Sequence, residues 1–139
     1  MSELVFVDDG TARRCEPFSL TRPLCEMRAG ALLIRERWTR ALGLEAAGFV
    51  SSRHLADFDE PASVGAVSGT IRKGTVLVNA RCAVSLAPAP AADIWTCGAR
   101  VAAILLSRDV DASELERAPL DPLAAGEGRG GGGGGWGGV

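Results

Sequence analysis

Two adjacent carboxylates, Asp8 and Asp9, come directly after the apolar run Leu4-Val5-Phe6-Val7 and lead into an arginine-rich loop. A strand that empties into a loop of opposed charges is how α/β folds place phosphate and metal chemistry at strand ends. Residues 10–40 hold seven Arg against three Glu, a local balance of +4 in a chain of net charge −2, so the remainder carries −6. Such a patch on a mildly acidic protein suits a small anionic ligand better than a polyanion, and the chain lacks the electrostatic footprint of a nucleic-acid binder. Arg22 is the most constrained cation, because Pro23 fixes the backbone beside it. Downstream, Asn79 and Arg81 stand two apart on an extended run and so share one face, free to converge on one ligand.

Each of these residues also has a plainer reading. Asp8-Asp9 suits a turn with cap or salt-bridge duty, Asn79 suits a strand end, and Arg13, Arg14, Arg22 and Arg28 taken singly suit solvated surface. His54, the only histidine, has no nucleophile or carboxylate at local catalytic spacing and reads as surface. The four cysteines (Cys15, Cys25, Cys82, Cys97) show no paired spacing and read as reduced core or surface filler.

The elements that must position these groups are set by hydrophobic pattern. Residues 3–8 read as a buried strand, with Asp9-Gly10 as its turn. Leu24, Met27, Ala31, Ile34, Trp38 and Leu42 recur at spacings of three and four. That spacing predicts an apolar helix face from a Thr21 cap to a Gly43 terminator, with Gly30 marking a break between a short and a longer helix. Glu36 and Arg40 have the spacing of a weak surface pair. Strands are expected at 48–51 and 75–79, a single turn at 54–58, and a hairpin at 94–96 and 100–106. A last short helix is expected from an Asp111 or Ser113 cap through Arg117.

At 139 residues the chain has room for one domain burying roughly two-thirds of its unfolded surface. From Gly126 to Val139 ten of fourteen residues are glycine, which cannot offset the entropy of ordering. The folded domain is therefore expected over residues 1–122 and a disordered Gly-rich tail over 123–139. No basic-then-apolar leader opens the chain, and apolar stretches such as Val101–Leu106 are far too short to cross a bilayer. A soluble cytoplasmic protein with no membrane partner is the expectation.

The ordered string Phe6-Val7-Asp8-Asp9, Arg13, Pro17-Phe18-Ser19-Leu20-Thr21-Arg22-Pro23, Glu26-Met27-Arg28, Gly30 and Ile34-Arg35-Glu36-Arg37-Trp38 resembles the start of a divergent bacterial sugar nucleotidyltransferase family. That family is similar to the N-terminal domain of the bifunctional enzyme making UDP-N-acetylglucosamine. Val76–Arg81 resembles a second family segment, and Gly98–Leu105 more weakly a third. The resemblance implies an α/β fold, a partial nucleotidyltransferase-like (Rossmann-like) sheet with flanking helices. It also implies transfer of a nucleotidyl group from a nucleoside triphosphate to a sugar-1-phosphate, of UDP-N-acetylglucosamine or dTDP-glucose type. In that reading Arg13 and Arg22 grip phosphate as catalytic residues. Asp8, Asp9, Arg28, Asn79 and Arg81 bind substrate, and Mg²⁺ is the implied cofactor. Asp8 and Asp9 would orient arginines, hold a nucleotide edge or help bind the ion. The chain lacks the Gly-rich loop with Arg and the downstream Lys of the standard signature. No position matches the later metal-binding carboxylate, so the metal ligands stay unassigned. The length and the absence of the C-terminal hexapeptide-repeat β-helix that the resemblance implies suggest a truncated member, and the alternative readings are a non-catalytic nucleotide- or sugar-binding module or an inactive truncated product.

Overall fold

The computed structural model describes residues 2–116, Leu120 and Gly134–Gly135, apart from the Arg13 side chain. Its strands are β1 (Glu3–Val7), β2 (Arg28–Ala29), β3 (Leu32–Leu33), β4 (Glu45–Val50), β5 (Thr70–Ile71), β6 (Val76–Asn79), β7 (Ile94–Cys97), β8 (Arg100–Leu105), β9 (Val110–Asp111) and β10 (Gly134–Gly135). Two α-helices, α1 (Ile34–Leu42) and α2 (Ala112–Leu115), accompany them. The main sheet runs β10-β7-β8-β6-β1-β4. Strand β1 is parallel to both β4 and β6, whereas β8 is antiparallel to β6 and β7.

Both faces of this sheet are covered, which explains why its central strands are unbroken apolar runs rather than alternating ones. Leu4 and Phe6 of β1 join Val76 and Val78 of β6 in a core with Trp38 and Phe49. Their neighbours Val5, Val7 and Leu77 face the opposite way, into a second core with Ile104, Val110 and Leu115. Helix α1 supplies Ile34, Trp38 and Ala41 to the first core. Trp38 is fully buried, and its indole Nε1 donates to the Cys82 carbonyl at 2.8 Å. The expected strands at β1, β4 and β6, and the β7–β8 hairpin, are all present. Asp111 caps α2 by accepting from the Ser113 backbone N–H.

The stretch between Thr21 and Gly43 departs from the expected helix. Only Ile34–Leu42 is α-helical; a 3₁₀ turn covers Leu24–Glu26, and β2 and β3 pair antiparallel around the turn at Gly30. Gly30 has φ of 76°, a left-handed conformation that a helix interior does not allow. Thr21 does not cap a helix; its hydroxyl donates to the Phe18 carbonyl. Glu36 does not reach forward to Arg40 but back to the Leu33 backbone N–H at 2.8 Å. Glu26 fixes the segment from below: buried, it accepts from Arg35 Nε at 2.7 Å and from the Val64 N–H at 3.1 Å. That carboxylate holds the Arg35 guanidinium more firmly protonated than usual.

The expected single turn at 54–58 is a 3₁₀ turn over Arg53–Leu55. Arg117, the 122/123 boundary and most of the expected disordered tail lie outside the described residues; the described pair Gly134–Gly135 runs parallel to β7. Among the described residues no helix is long and apolar enough to cross a membrane.

The outer edge of β4 is partly closed by the segment at 65–67. The Phe49 N–H donates to the Gly65 carbonyl, and the Val67 N–H to the Phe49 carbonyl. A Cβ at Gly48 would stand 2.6 Å from the Gly65 oxygen. Gly48→Ala is therefore expected to cost about 1–2 kcal/mol by overpacking, read as a lower urea midpoint at unchanged slope.

Candidate functional site

Strand β1 lies at a branch in the chain path. From β1 the chain passes to β4 on one side, then returns to β6 on the other. The carboxyl ends of β1 and β6 thus form a topological switch point, the place where open α/β sheets put their ligands. Asp8 and Asp9 come directly after β1 there, and Asn79 and Arg81 stand at the end of β6.

Asp8 is buried, with 7 % of its surface exposed. Its Oδ2 accepts from Ser51 Oγ at 2.8 Å and from the Leu24 backbone N–H at 3.2 Å. Both donors engage the same oxygen, and among the described residues no donor reaches Oδ1. Burial pushes the Asp8 carboxyl up from 3.8 to about 6, against the opposing pull of Ser51 and Leu24; the nearby Asp9 charge adds to the rise. Desolvation outweighs two hydrogen bonds because ionisation in so enclosed a place loses more hydration than two donors replace.

Asp9 has a different partner. Its carboxylate takes a two-pronged grip from Arg81, Nε to Oδ1 at 2.9 Å and Nη2 to Oδ2 at 2.6 Å. The Thr11 N–H also donates to Oδ1 at 3.0 Å. Asn79 positions the arginine, since its Oδ1 accepts from the Arg81 backbone N–H at 3.1 Å. Asp8, Asp9, Asn79 and Arg81 therefore meet at the switch point, and the arginine oriented there is Arg81.

Beside them opens a cleft of about 510 Å³, lined by Asp8, Asp9, Gly10, the 51–54 segment and Glu116. Residue types and local spacing do not single out Ser51, His54 or Glu116 as site residues. The signal that finds the 51–54 segment is topological. Strand β4 runs parallel beside β1 with Val50 opposite Val7, so the loop after Val50 faces the loop after Val7. His54 is exposed, in keeping with its surface reading, and it also lines this cleft.

Arg22 and Arg28 lie elsewhere. Arg22 Nη2 pairs with Glu60 Oε1 at 2.9 Å, both side chains about two-fifths exposed (41 % and 44 %). Arg28 Nη1 donates to the Ala31 carbonyl at 2.8 Å. Both line a second cleft that shares no residue with the first. An exposed pair such as Arg22–Glu60 contributes about 0–1 kcal/mol. Arg22→Ala is accordingly expected to leave the thermal midpoint within a degree or two of the parent, roughly. The Arg13 side chain lies outside the described residues.

The four cysteines are free thiols. Cys25, wedged between Asp8 and Glu26, is held well above the usual thiol range by burial first and Asp8 second. Burial and the neighbouring Cys97 push Cys82 up to about 12.

No cluster of three or more His, Cys, Asp or Glu side chains suited to a metal ion occurs among the described residues. A cation that keeps several waters and leans on substrate phosphates needs only one or two carboxylates, however. Asp8, with Oδ1 unengaged, and Glu116 on the same cleft meet that lesser demand.

Sheet and cleft together define an α/β protein whose polar site lies outside the carboxyl ends of parallel strands. A family model described as sugar nucleotidyl transferase matches residues 4–122. The chain belongs to that family, whose chemistry is nucleotidyl transfer. No curated protein and no solved structure matches the chain.

Proposed function

We propose that the chain is a sugar-1-phosphate nucleotidyltransferase, of UDP-N-acetylglucosamine or dTDP-glucose type, working in the cytoplasm on a nucleoside triphosphate held over Asp8. The observation that carries this reading is the Asp8 carboxylate, buried at the switch point with Oδ1 unengaged beside a cleft of about 510 Å³. Burial of a carboxylate is costly unless something compensates it. A cation-bound triphosphate compensates it, so the cost is relieved only when substrate is present.

In the reaction a phosphate oxygen of the sugar-1-phosphate attacks the α-phosphorus, and the bond to the bridging oxygen breaks as pyrophosphate leaves with the electron pair. Mg²⁺, when bound, neutralises phosphate charge as it spreads; Asp8 and Glu116 are the residues that would hold it. Arg53 is the arginine on the lining of this cleft; Arg81, its fork engaged by Asp9 and its backbone N–H by Asn79, holds Asp9 in place at the edge. The Ser51 hydroxyl and the Leu24 N–H keep Asp8 from turning away from the cleft.

One observation favours a second reading, a nucleotide- or sugar-binding module without chemistry. Asp9 is fully committed to Arg81 and Thr11, which leaves Asp8 as the single unpaired carboxylate at the switch point among the described residues. The two readings separate in one assay. Purified protein given Mg²⁺, UTP or dTTP and a sugar-1-phosphate should release pyrophosphate only when both substrates are present. Saturable nucleotide binding without pyrophosphate would establish the binding module instead.

A further inference from the structure

Two of the four cysteines, unpaired by sequence spacing, are brought together by the sheet. Strand β8 runs antiparallel to both β6 and β7, with Val78 opposite Ala103 and Cys97 opposite Arg100, so β6 and β7 finish at the same end of the sheet. Cys97 is the last residue of β7, and Cys82 follows shortly after Asn79, the last residue of β6. Both side chains pack against the core that holds Trp38, which puts them on the same face of the sheet as well. There the thiols meet, the Cys82 S–H hydrogen-bonded to the Cys97 sulfur. Each is half-buried, whereas Cys25 is fully enclosed.

The two backbones are anchored separately. The Cys82 N–H donates to the Asn79 carbonyl at 3.0 Å, and the Cys82 carbonyl accepts from Trp38 Nε1 at 2.8 Å. Cys97 is held in the β7–β8 ladder. Sulfurs placed in contact by independently fixed chain are preorganised for a bond between them, because folding has already met most of the entropy of closing the loop.

We propose that Cys82 and Cys97 form a modification site, a dithiol that exchanges with a low-molecular-weight disulfide and closes to an intramolecular cystine. The site lies outside the Asp8 cleft, and the inference does not rest on the reaction proposed there. Burial first and Cys97 second keep the proton on Cys82, so the first attack falls to Cys97. Its thiolate attacks one sulfur of the external disulfide, whose S–S bond breaks as one small thiolate leaves with the electron pair. The Cys82 sulfur then attacks the Cys97 sulfur, giving up its proton to solvent as the second small thiolate departs. Two protein thiols are oxidised and one external disulfide is reduced to two thiols. Closure ties the residue after Arg81, whose fork grips Asp9, to the end of β7.

The test is incubation of the folded full chain with oxidised glutathione, followed by unfolding, alkylation, trypsin digestion and mass spectrometry. Trypsin cuts after Arg81 and Arg100, with no Lys or Arg between, so both cysteines fall in one peptide. That peptide is expected to be two hydrogens lighter, resistant to alkylation and restored by dithiothreitol, with Cys25 still alkylated. Titration against the glutathione couple should favour the bond at least about tenfold more in the native chain than in denaturing urea. The oxidised chain should melt at least about 5 °C above the reduced one. Four alkylated cysteines overturn the inference, as does glutathione retained on either sulfur without closure, or a bond from either to Cys15. Closure equally favoured in urea overturns it too. So does an unchanged or lower thermal midpoint, since the bond would then form only by distorting the native backbone.

Discussion

Asp8→Asn should make the metal-free protein more stable at pH 8, leave it unchanged at pH 4, and remove cation-dependent nucleotide binding. The sign is set by the carboxyl's position. In the folded chain it titrates at about 6 rather than the ordinary 3.8, with burial the largest cause. Between those values the folded state holds a proton that the unfolded state has released, so stability falls as pH rises from about 4 through about 6. Above that, the ionised carboxylate is a standing cost of about 1–3 kcal/mol. Asparagine removes the charge and keeps the contacts. Its single carbonyl can replace Oδ2 in front of Ser51 and Leu24, leaving the amide toward the cleft. Thermal unfolding in chelator at pH 4, 6 and 8 checks this: the variant's advantage should open between the first and last values. A variant that loses stability equally at all three would show Asp8 to be a structural acceptor alone.

Arg81→Met should have the opposite character, a stability loss of about 3–5 kcal/mol. The Asp9 side chain is 5 % exposed and that of Arg81 is 21 % exposed, so removing the guanidinium strands a desolvated carboxylate. The loss is mostly that stranded charge rather than the worth of the pair, which makes the double variant decisive. Asp9→Asn combined with Arg81→Met should recover more than half of the loss, because the neutral amide that replaces the carboxylate still accepts from the Thr11 N–H. Urea midpoints of the four proteins complete the cycle. Additive losses would mean that the 2.6 Å contact contributes nothing beyond its two halves.

Much of the sheet was legible because buried parallel strands write themselves as unbroken apolar runs. Leu4–Val7 and Val76–Val78 face two cores at once, and no other element of that length needs such a pattern. The 21–43 stretch departs from the expected helix for a physical reason. Leu24, Met27 and Ala31 have helical spacing, yet only Leu24 and Met27 reach the core, from a 3₁₀ turn and the residue after it, while Ala31 is exposed in the turn of the two-stranded ribbon. What decides between helix and turn is Glu26, whose partners Arg35 and Val64 lie 9 and 38 residues away. Sequence spacing carries no trace of that bond.

The site was legible in the same uneven way. Asp8, Asp9, Asn79 and Arg81 came from strand ends and parity, and the structure gathers all four at one switch point. That Arg81 rather than Arg22 meets the carboxylates depends on β6 lying beside β1, a pairing across 72 residues at the Arg81–Asp9 bond. Ser51 and the cleft depend likewise on β4 taking the other flank. Arg22 and Arg28 sit close to Asp8 in sequence but are carried by the turn and ribbon to a second cleft.

The role of Asp8 is tested most directly by the affinity of the chain for Mg²⁺ with UTP or dTTP, measured by calorimetry at pH 8 on the parent and on Asp8→Asn. Saturable binding by the parent, weakened at least about a hundredfold in a variant that remains folded, is the predicted result. Equal affinity in the two proteins would contradict it.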